Sequence, residues 1–499
     1  MAEPFNGEIT VASRIVDYLS SGLYNSPAAC LKELVNNSYD ADAKRVDVFV
    51  KPDAARIVVA DDGVGMSQQE FVQHFDRISE SHKRDASQTT AAGRLKIGKI
   101  GIGFIAANEL CDVMEIESTK KGVPELIRVE VNFREMRLDV SERRKRDDDT
   151  WVKGDYEGTV EKAGRDEHYT QVTLKEIRPN ARGILEGATL RPHVSGSSSI
   201  YGLRPENVRK LVAAADDWGD FDEYSQAMLQ VGLNVPVRYL PQWRPASLNA
   251  LAEFEEEVEA LGFSVFVDGS DLRKPVVLQS DGRQLLRPIQ IDGDHVSARG
   301  YFYARHGVLR PQWLNGVLVR IRNAAVGDYD GTFLNFKTSE QTLFQRWTTC
   351  EIWADDRLEE ALNIDRRTLR ITHPAYIEFQ EAFHDQLSEF LRASRDALHK
   401  QPAAKRRVEE ARREVGRLSE AIERESSSLS PLARRELRAA IKRRSEPNAI
   451  SSPAEVRAVL RKFTVTEMYE VALEVARDSL SASQYERFAA ALAKRLIDD

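Results

Sequence analysis

An apolar strand, Arg56-Ile57-Val58-Val59-Ala60, stops abruptly at Asp61-Asp62-Gly63-Val64-Gly65-Met66, and no other stretch of the chain restricts its fold so strongly. A carboxylate at a strand end can accept a hydrogen bond from an exocyclic amine of a base, and two residues without side chains let a flat ring approach the backbone. Adenine suits that description. The same Asp-x-Gly-x-Gly turn also occurs on ordinary surfaces, so its neighbours in sequence have to decide.

The neighbour before it is Glu33-Leu34-Val35-Asn36-Asn37-Ser38-Tyr39-Asp40-Ala41, a run with helical character behind a turn at 25–27. At about 100° per residue, Glu33, Asn37 and Asp40 share one edge, while Leu31, Leu34 and Val35 face a core. Glu33 can polarise a water, the Asn37 amide oxygen can hold a magnesium ion, and Asp40 can organise the site by hydrogen bonds. A solvated polar face has the same spacing. The neighbour after the strand is Gly98-Lys99-Ile100-Gly101-Ile102-Gly103-Phe104, leading into a helix-like run through Leu110. Glycines ahead of a helix let backbone amides and the positive helix end meet phosphates, with Lys96 and Lys99 adding charge. This segment neither opens a βαβ dinucleotide unit nor ends in the Lys-Ser/Thr of a Walker A loop.

In this order the three segments resemble the GHKL ATPases: gyrase, the ninety-kilodalton heat-shock chaperone, histidine kinases and MutL. The resemblance implies an α/β (α+β) sandwich of the Bergerat type binding ATP and magnesium. Glu33 would be the general base, Asn37 the metal ligand and Asp61 the adenine acceptor. Gly65 would back the base, with Asp40, Gly63 and Met66 also lining the nucleotide site. Gly98, Gly101 and Gly103, with Lys96, Lys99, Ile102 and Phe104, would form the phosphate loop. The segment from Ser67 to Arg94, poor in large apolar residues and carrying Lys83, has the composition of a lid. A Gly-Thr pair on a late strand is represented by Thr170, with Tyr169 where glycine is usual.

Leu23-Tyr24 ahead of Leu31-Lys32-Glu33-Leu34, together with Gly101-Ile102-Gly103-Phe104, resembles the heat-shock chaperone branch and its microrchidia relatives. Further along, Leu362-Asn363-Ile364-Asp365-Arg366-Arg367-Thr368-Leu369 is similar to the chaperone middle-domain segment whose arginine reaches the terminal phosphate. Arg366 takes that place, and a guanidinium can stabilise charge developing on a transferred phosphoryl group. An exposed basic helix start is the alternative. Lys337 is a rival for the same role, because gyrase-type relatives use a transducer lysine.

The expected organisation is a nucleotide domain at 1–177, a connection at 178–237, a second α/β domain of middle or transducer type at 238–374, and a helical region at 375–499. In the second domain Val265–Val267, Val276–Leu278, Tyr301–Tyr303 and Val317–Ile321 read as strands around a helix at Leu248–Leu261. Val408, Ala411, Val415, Leu418 and Ile422 follow heptad spacing for about two heptads, which suits a short coiled coil or a packed hairpin.

Composition enters through partners. With 71 Lys and Arg against 79 Asp and Glu the net charge is −8, which argues against a protein coated uniformly in nucleic acid. From Arg392 to Lys462, however, 19 Lys and Arg face 10 Asp and Glu, including Lys405-Arg406-Arg407, Arg434-Arg435 and Lys442-Arg443-Arg444. Such a segment suits DNA or a solvated helix face. Cys30, Cys111 and Cys350 lack metal or disulfide spacing, His168, His193 and His373 read as surface or packing residues, and neither a membrane span nor a signal segment is legible. The expectation is a cytoplasmic, homodimeric, slowly hydrolysing ATPase whose nucleotide closes a clamp. It would be a chaperone-like remodeller of protein clients, a microrchidia-like DNA-binding or compacting factor acting in defence against foreign DNA, or a nucleotide-gated scaffold.

Overall fold

The structure is a computed structural model and describes residues 26–75, 89–98, 103–137, 156–189, 197–279, 282–337, 344–363, 365–399 and 465–498. The chain divides into two compact units, Met1–Leu398 and His399–Asp499.

In the first unit, α1 (Pro27–Asp40) starts behind Ser26, whose hydroxyl accepts from the Ala29 N–H, and Pro27 occupies a position where an N–H would be unused. Leu31, Leu34, Val35 and Tyr39 are buried, so the apolar face predicted from spacing is the one that packs. The antiparallel pair β1 (Arg45–Lys51) and β2 (Arg56–Asp61) sends Val46, Val48, Val50, Ile57 and Val59 into the core by period-two alternation. Then come α2 (Gln68–Phe75), β3 (Cys111–Thr119), β4 (Glu125–Asn132), α3 (Phe133–Arg137), β5 (Tyr156–Lys162) and β6 (Tyr169–Ile177). Helices α4 (Arg182–Gly187), α5 (Pro205–Ala214), α6 (Glu223–Asn234) and α7 (Ala252–Ala260) lead to β7 (Ser264–Val267) and β8 (Ser270–Asp271). These eight strands form one sheet in the order β5-β4-β3-β6-β2-β1-β7-β8, antiparallel except for β1 with β7. A mixed sheet with helices packed against it is the α/β sandwich that the sequence implied.

Two features lie across the expected boundaries. The stretch 178–237, read as a connection, contributes α6, which packs on α1 and α4 and buries Tyr224, Ala227, Met228, Leu229 and Val231. A helix apolar on more than one face belongs inside a core rather than on a linker. The strand Ser264–Val267, assigned to the second domain, instead extends the first sheet, pairing Arg45 with Ser264 through Val48 with Val267.

The second sheet is built from β9 (Gln284–Asp292), β10 (Ser297–Arg305), β11 (Gly316–Ile321), β12 (Ala324–Asp330) and β13 (Thr348–Ala354), in the order β12-β11-β13-β10-β9. Short α8 (Asp356–Glu359) and long α9 (Pro374–Ser394) follow. Tyr301–Tyr303 and Val317–Ile321 are strands as predicted. Val276–Leu278 is extended and buried but joins no ladder, because the Val276 and Leu278 N–H groups bond to the Lys274 and Trp243 carbonyls. The sheet is covered on both faces. Ala298, Phe302, Val317, Val319, Cys350 and Ile352 meet Phe379, Phe383 and Phe390 of α9, so this helix, expected to open the helical region, belongs to the second sheet.

Among the described residues of the second unit, α10 (Val465–Ser479) and α11 (Ala482–Asp498) form a helical pair, in keeping with a helical C-terminal region. The heptad run and the three basic clusters lie outside the described residues. No helix among the described residues is long and apolar enough to cross a membrane.

Candidate active site

The C-terminal half of α1 ties the predicted elements together. Ser38 Oγ donates to Asp61 Oδ2 at 2.8 Å, and two residues on, Asp40 accepts from the backbone N–H of Ile97 at 2.6 Å and of Gly98 at 2.8 Å. One helix therefore grips the end of β2 with one side chain and the stem of the glycine loop with another. Glu33 and Asn37 sit one turn apart on the same helix. Asn37 is exposed, and the largely shielded Glu33 carboxylate lies 3.5 Å from the ammonium of buried Lys32.

The turn after β2 is held to a close tolerance. Asp61 Oδ1 accepts from the Gly63 N–H at 2.9 Å. The Gly63 carbonyl accepts from His168 Nδ1 at 2.8 Å, so this histidine, read as surface or packing, pins the turn. Gly65 has φ of +69°, and a Cβ there would stand 1.8 Å from the Thr119 carbonyl oxygen. Only glycine fits. Beyond it the Met66 N–H donates to Ser118 Oγ at 2.9 Å. The Ser118 hydroxyl donates to the Tyr169 carbonyl at 2.9 Å and, having one proton, accepts from Thr170 Oγ1 at 2.9 Å. Thr170 pairs with Asp61 across β2 and β6. Tyr169, in the place of the usual glycine, turns its hydroxyl to Glu117.

Asp61 is mostly buried, and burial pushes its carboxyl up to about 6, against the downward pull of hydrogen bonds from Ser38 and the Gly63 backbone. A carboxylate whose charge burial makes costly is poised to accept a hydrogen bond from a ligand amine, since a further donor favours its charged form.

The described ends of the segment Ser67–Arg94 are held by polar contacts. Lys120 pairs with Glu70 on α2 at one end. At the other, the Arg94 guanidinium donates to the Ala43 carbonyl at 2.6 Å and the Leu261 carbonyl at 3.0 Å, over the ring of Tyr39. Gly98 is at the stem and Gly103 opens a short 3-10 helix, Gly103–Glu109. Lys83, Lys99, Gly101 and Ile102 lie outside the described residues, as do Leu23 and Tyr24, and the Phe104 side chain is likewise outside them.

Residues 24–151 match the sequence model of the family described as histidine kinase-, DNA gyrase B-, and HSP90-like ATPase. The chain carries a GHKL ATPase domain. Over 117 residues it is 36% identical to a protein assigned as the type II restriction enzyme HgiDII of Herpetosiphon aurantiacus, covering 23% of this chain and 19% of that one. It is 28% identical over 142 residues to the chaperone protein HtpG of Polaromonas naphthalenivorans, covering 24% and 22%, and 29% identical over 143 residues to HtpG of Gluconobacter oxydans, with the same shares. The chain spans about a fifth of the length of these curated relatives. Two of these relatives are described as chaperone proteins, in keeping with the HSP90-like part of that family description.

Arg366 is not at a helix start. It sits at φ +52° in a tight loop closed by Asn363 N–H to Thr368 O and by Asp365 accepting from the Arg367 N–H, and its guanidinium lies 3.2 Å from Glu359 Oε1. Lys337, the rival cation, is exposed after the turn that follows β12. Ser38 and Ser118, which the sequence reading did not single out, were legible only as hydroxyls beside the motif and at a strand end.

Proposed function

We propose that the chain is a magnesium-dependent ATPase in which nucleotide binding drives closure. The observation that carries the proposal is the double grip of α1, Ser38 on Asp61 and Asp40 on the Ile97 and Gly98 amides, which sets an adenine acceptor and a phosphate-loop stem at fixed positions relative to Glu33. Asp61 accepts the adenine amine, Gly65 leaves the backbone open to the ring, and Thr170 and Ser118 fix the far wall. Glu33 takes the proton of the attacking water, with the Lys32 ammonium 3.5 Å away orienting its carboxylate.

A magnesium ion fits the donor set. Asn37 presents one exposed amide oxygen, and this ion ordinarily takes few protein ligands, completing its shell with water and phosphate oxygens. When bound it neutralises charge on the phosphates. Arg366 supplies the cation for the terminal phosphate once released from Glu359.

Closure of two subunits over nucleotide, with slow, partner-controlled turnover, is the working reading for a cytoplasmic homodimer acting on protein clients, and the HtpG relatives support it. A DNA-directed reading, as a compacting or defence factor, draws on the restriction-enzyme relative and on the basic composition between Arg392 and Lys462. Steady-state ATP hydrolysis, with and without long duplex DNA and with Glu33→Ala to subtract contaminating activity, tests both. Hydrolysis equal in the wild type and Glu33→Ala sinks the ATPase reading, and stimulation by DNA selects the second role over the first.

A further inference from the structure

A guanidinium from the second sheet reaches the stem of the phosphate loop. Arg322 and Asn323 form the two-residue turn between β11 and β12, both in the left-handed region at φ +54° and +64°. Such hairpin turns usually carry Asn-Gly, because a Cβ makes this backbone costly. An arginine here is held by what its side chain does. The Arg322 side chain is 2% exposed, and its three nitrogens go to three different places. Nη1 donates to the carbonyl of Lys96, Nε donates to Asp356 Oδ1 at 2.7 Å, and Nη2 lies 2.8 Å from Glu359 Oε2.

Two of those partners give the arrangement its meaning. The Lys96 carbonyl and the Ile97 N–H belong to one planar peptide unit, and Asp40 grips that N–H. The peptide at the foot of the glycine loop is thus clasped on one edge by α1 and on the other by Arg322. Glu359, for its part, offers one oxygen to Arg322 and the other to Arg366. A continuous polar chain runs from Asp40 through the Lys96–Ile97 peptide, Arg322 and Glu359 to Arg366.

We propose that Arg322 is a positioning residue that couples the phosphate-loop stem to the Arg366 loop, so that tilting of the Lys96–Ile97 peptide on nucleotide binding changes how firmly Glu359 retains Arg366. The proposal rests on the reading of the glycine loop as the phosphate site. Arg322 touches no reacting atom. It acts because a planar, forked cation can hold a carbonyl and two carboxylates at once, which a lysine cannot. Coupling of this kind requires an element that both ends bias, and the shared carboxylate of Glu359 is that element.

The test uses the full chain and hydrogen exchange with and without a non-hydrolysable ATP analogue. In the wild type the analogue is expected to slow exchange at 93–98 and to alter it at 361–370. In Arg322→Lys, which keeps a buried cation, the first response should remain and the second should shrink at least threefold. An equal response at 361–370 in both proteins overturns the coupling. No response at 93–98 in the wild type overturns the nucleotide reading on which the coupling depends. Turnover supplies an independent check through Glu359→Gln, which keeps the side-chain volume. Its kcat should change at least fivefold with nearly constant analogue affinity, and the change should vanish in an Arg366→Ala background. Additive effects of the two substitutions refute a path through Arg366.

Discussion

Replacing Asp61 by asparagine should make the nucleotide-free protein more stable while removing its response to ATP. Burial lifts this carboxyl from 3.8 to about 6. About two units at ~1.4 kcal/mol each put the cost of holding it charged at ~3 kcal/mol as an upper bound, because the group keeps some contact with water. Asparagine removes the charge but turns an NH2 toward one of two donors, Ser38 Oγ or the Gly63 N–H, forfeiting ~1 kcal/mol. A net gain of about 1–2 kcal/mol remains, which corresponds to a few degrees of Tm. The pH dependence identifies the cause. Because the folded pKa lies above the unfolded value, the native state binds the extra proton, so this group's contribution is fully present below about 3.8 and is lost as pH rises through about 6. The Tm advantage of Asp61→Asn should therefore be absent near pH 4, where wild-type Asp61 is protonated in the folded state, and full at pH 7.5, measured by thermal unfolding without nucleotide. With ATP and magnesium at pH 7.5, the wild type should shift upward and the variant should not. A stability difference that is independent of pH, or a variant less stable at pH 7.5, would refute the assignment of strain to this carboxylate.

Glu33→Ala should retain ATP affinity within a few-fold and lose at least ~100-fold in turnover, the range typical of a missing general base, as read by nucleotide titration and phosphate release. Gly65→Ala should abolish nucleotide binding and lower stability by roughly 2–4 kcal/mol in denaturant titration, since its Cβ would stand 1.8 Å from the Thr119 carbonyl oxygen at φ +69°. In the shared core, Arg320→Met should cost about 3–5 kcal/mol by leaving Glu351, at 0% side-chain exposure, without its 2.8 Å partner, and the same unfolding experiment measures it.

The site was legible where one side chain has one job within a short stretch. Helical periodicity alone put Glu33, Asn37 and Asp40 on one edge, and the turn chemistry of Asp61-Asp62-Gly63-Val64-Gly65 marked a backbone position where a Cβ cannot stand. Asp40 accepts from the Ile97 and Gly98 N–H groups, contacts that its place on that edge allows. What could not be read depends on pairs far apart in the chain. Nothing around Arg322 announces that its turn closes on Lys96, 226 residues away, and nothing in Ser264–Val267 says it will pair with β1 rather than with the later strands. A short apolar strand carries no address. Across 238 and 375 the same holds: composition changes there, but packing does not.

That packing bears on how a nucleotide signal can travel. Tyr301, Tyr303, Leu318 and Trp353, on the face of the second sheet opposite α9, belong to the same buried cluster as α1 and the first sheet. Across that boundary Tyr239, from the segment before β7, donates to Glu351 of β13 at 2.8 Å, while Arg320 of β11 donates to the Leu233 carbonyl of α6 at 3.0 Å and to Glu351 at 2.8 Å. Rotating one sheet against the other would open an apolar core and strand a buried carboxylate, each costing several kcal/mol. Within this unit, a cheaper movement is that of the loop carrying Arg366, which is held by polar contacts to Glu359 and within the loop itself. A response to ATP is therefore expected as redistribution of a few hydrogen bonds and ion pairs along Asp40, Lys96, Arg322 and Glu359, with the two sheets moving as one body.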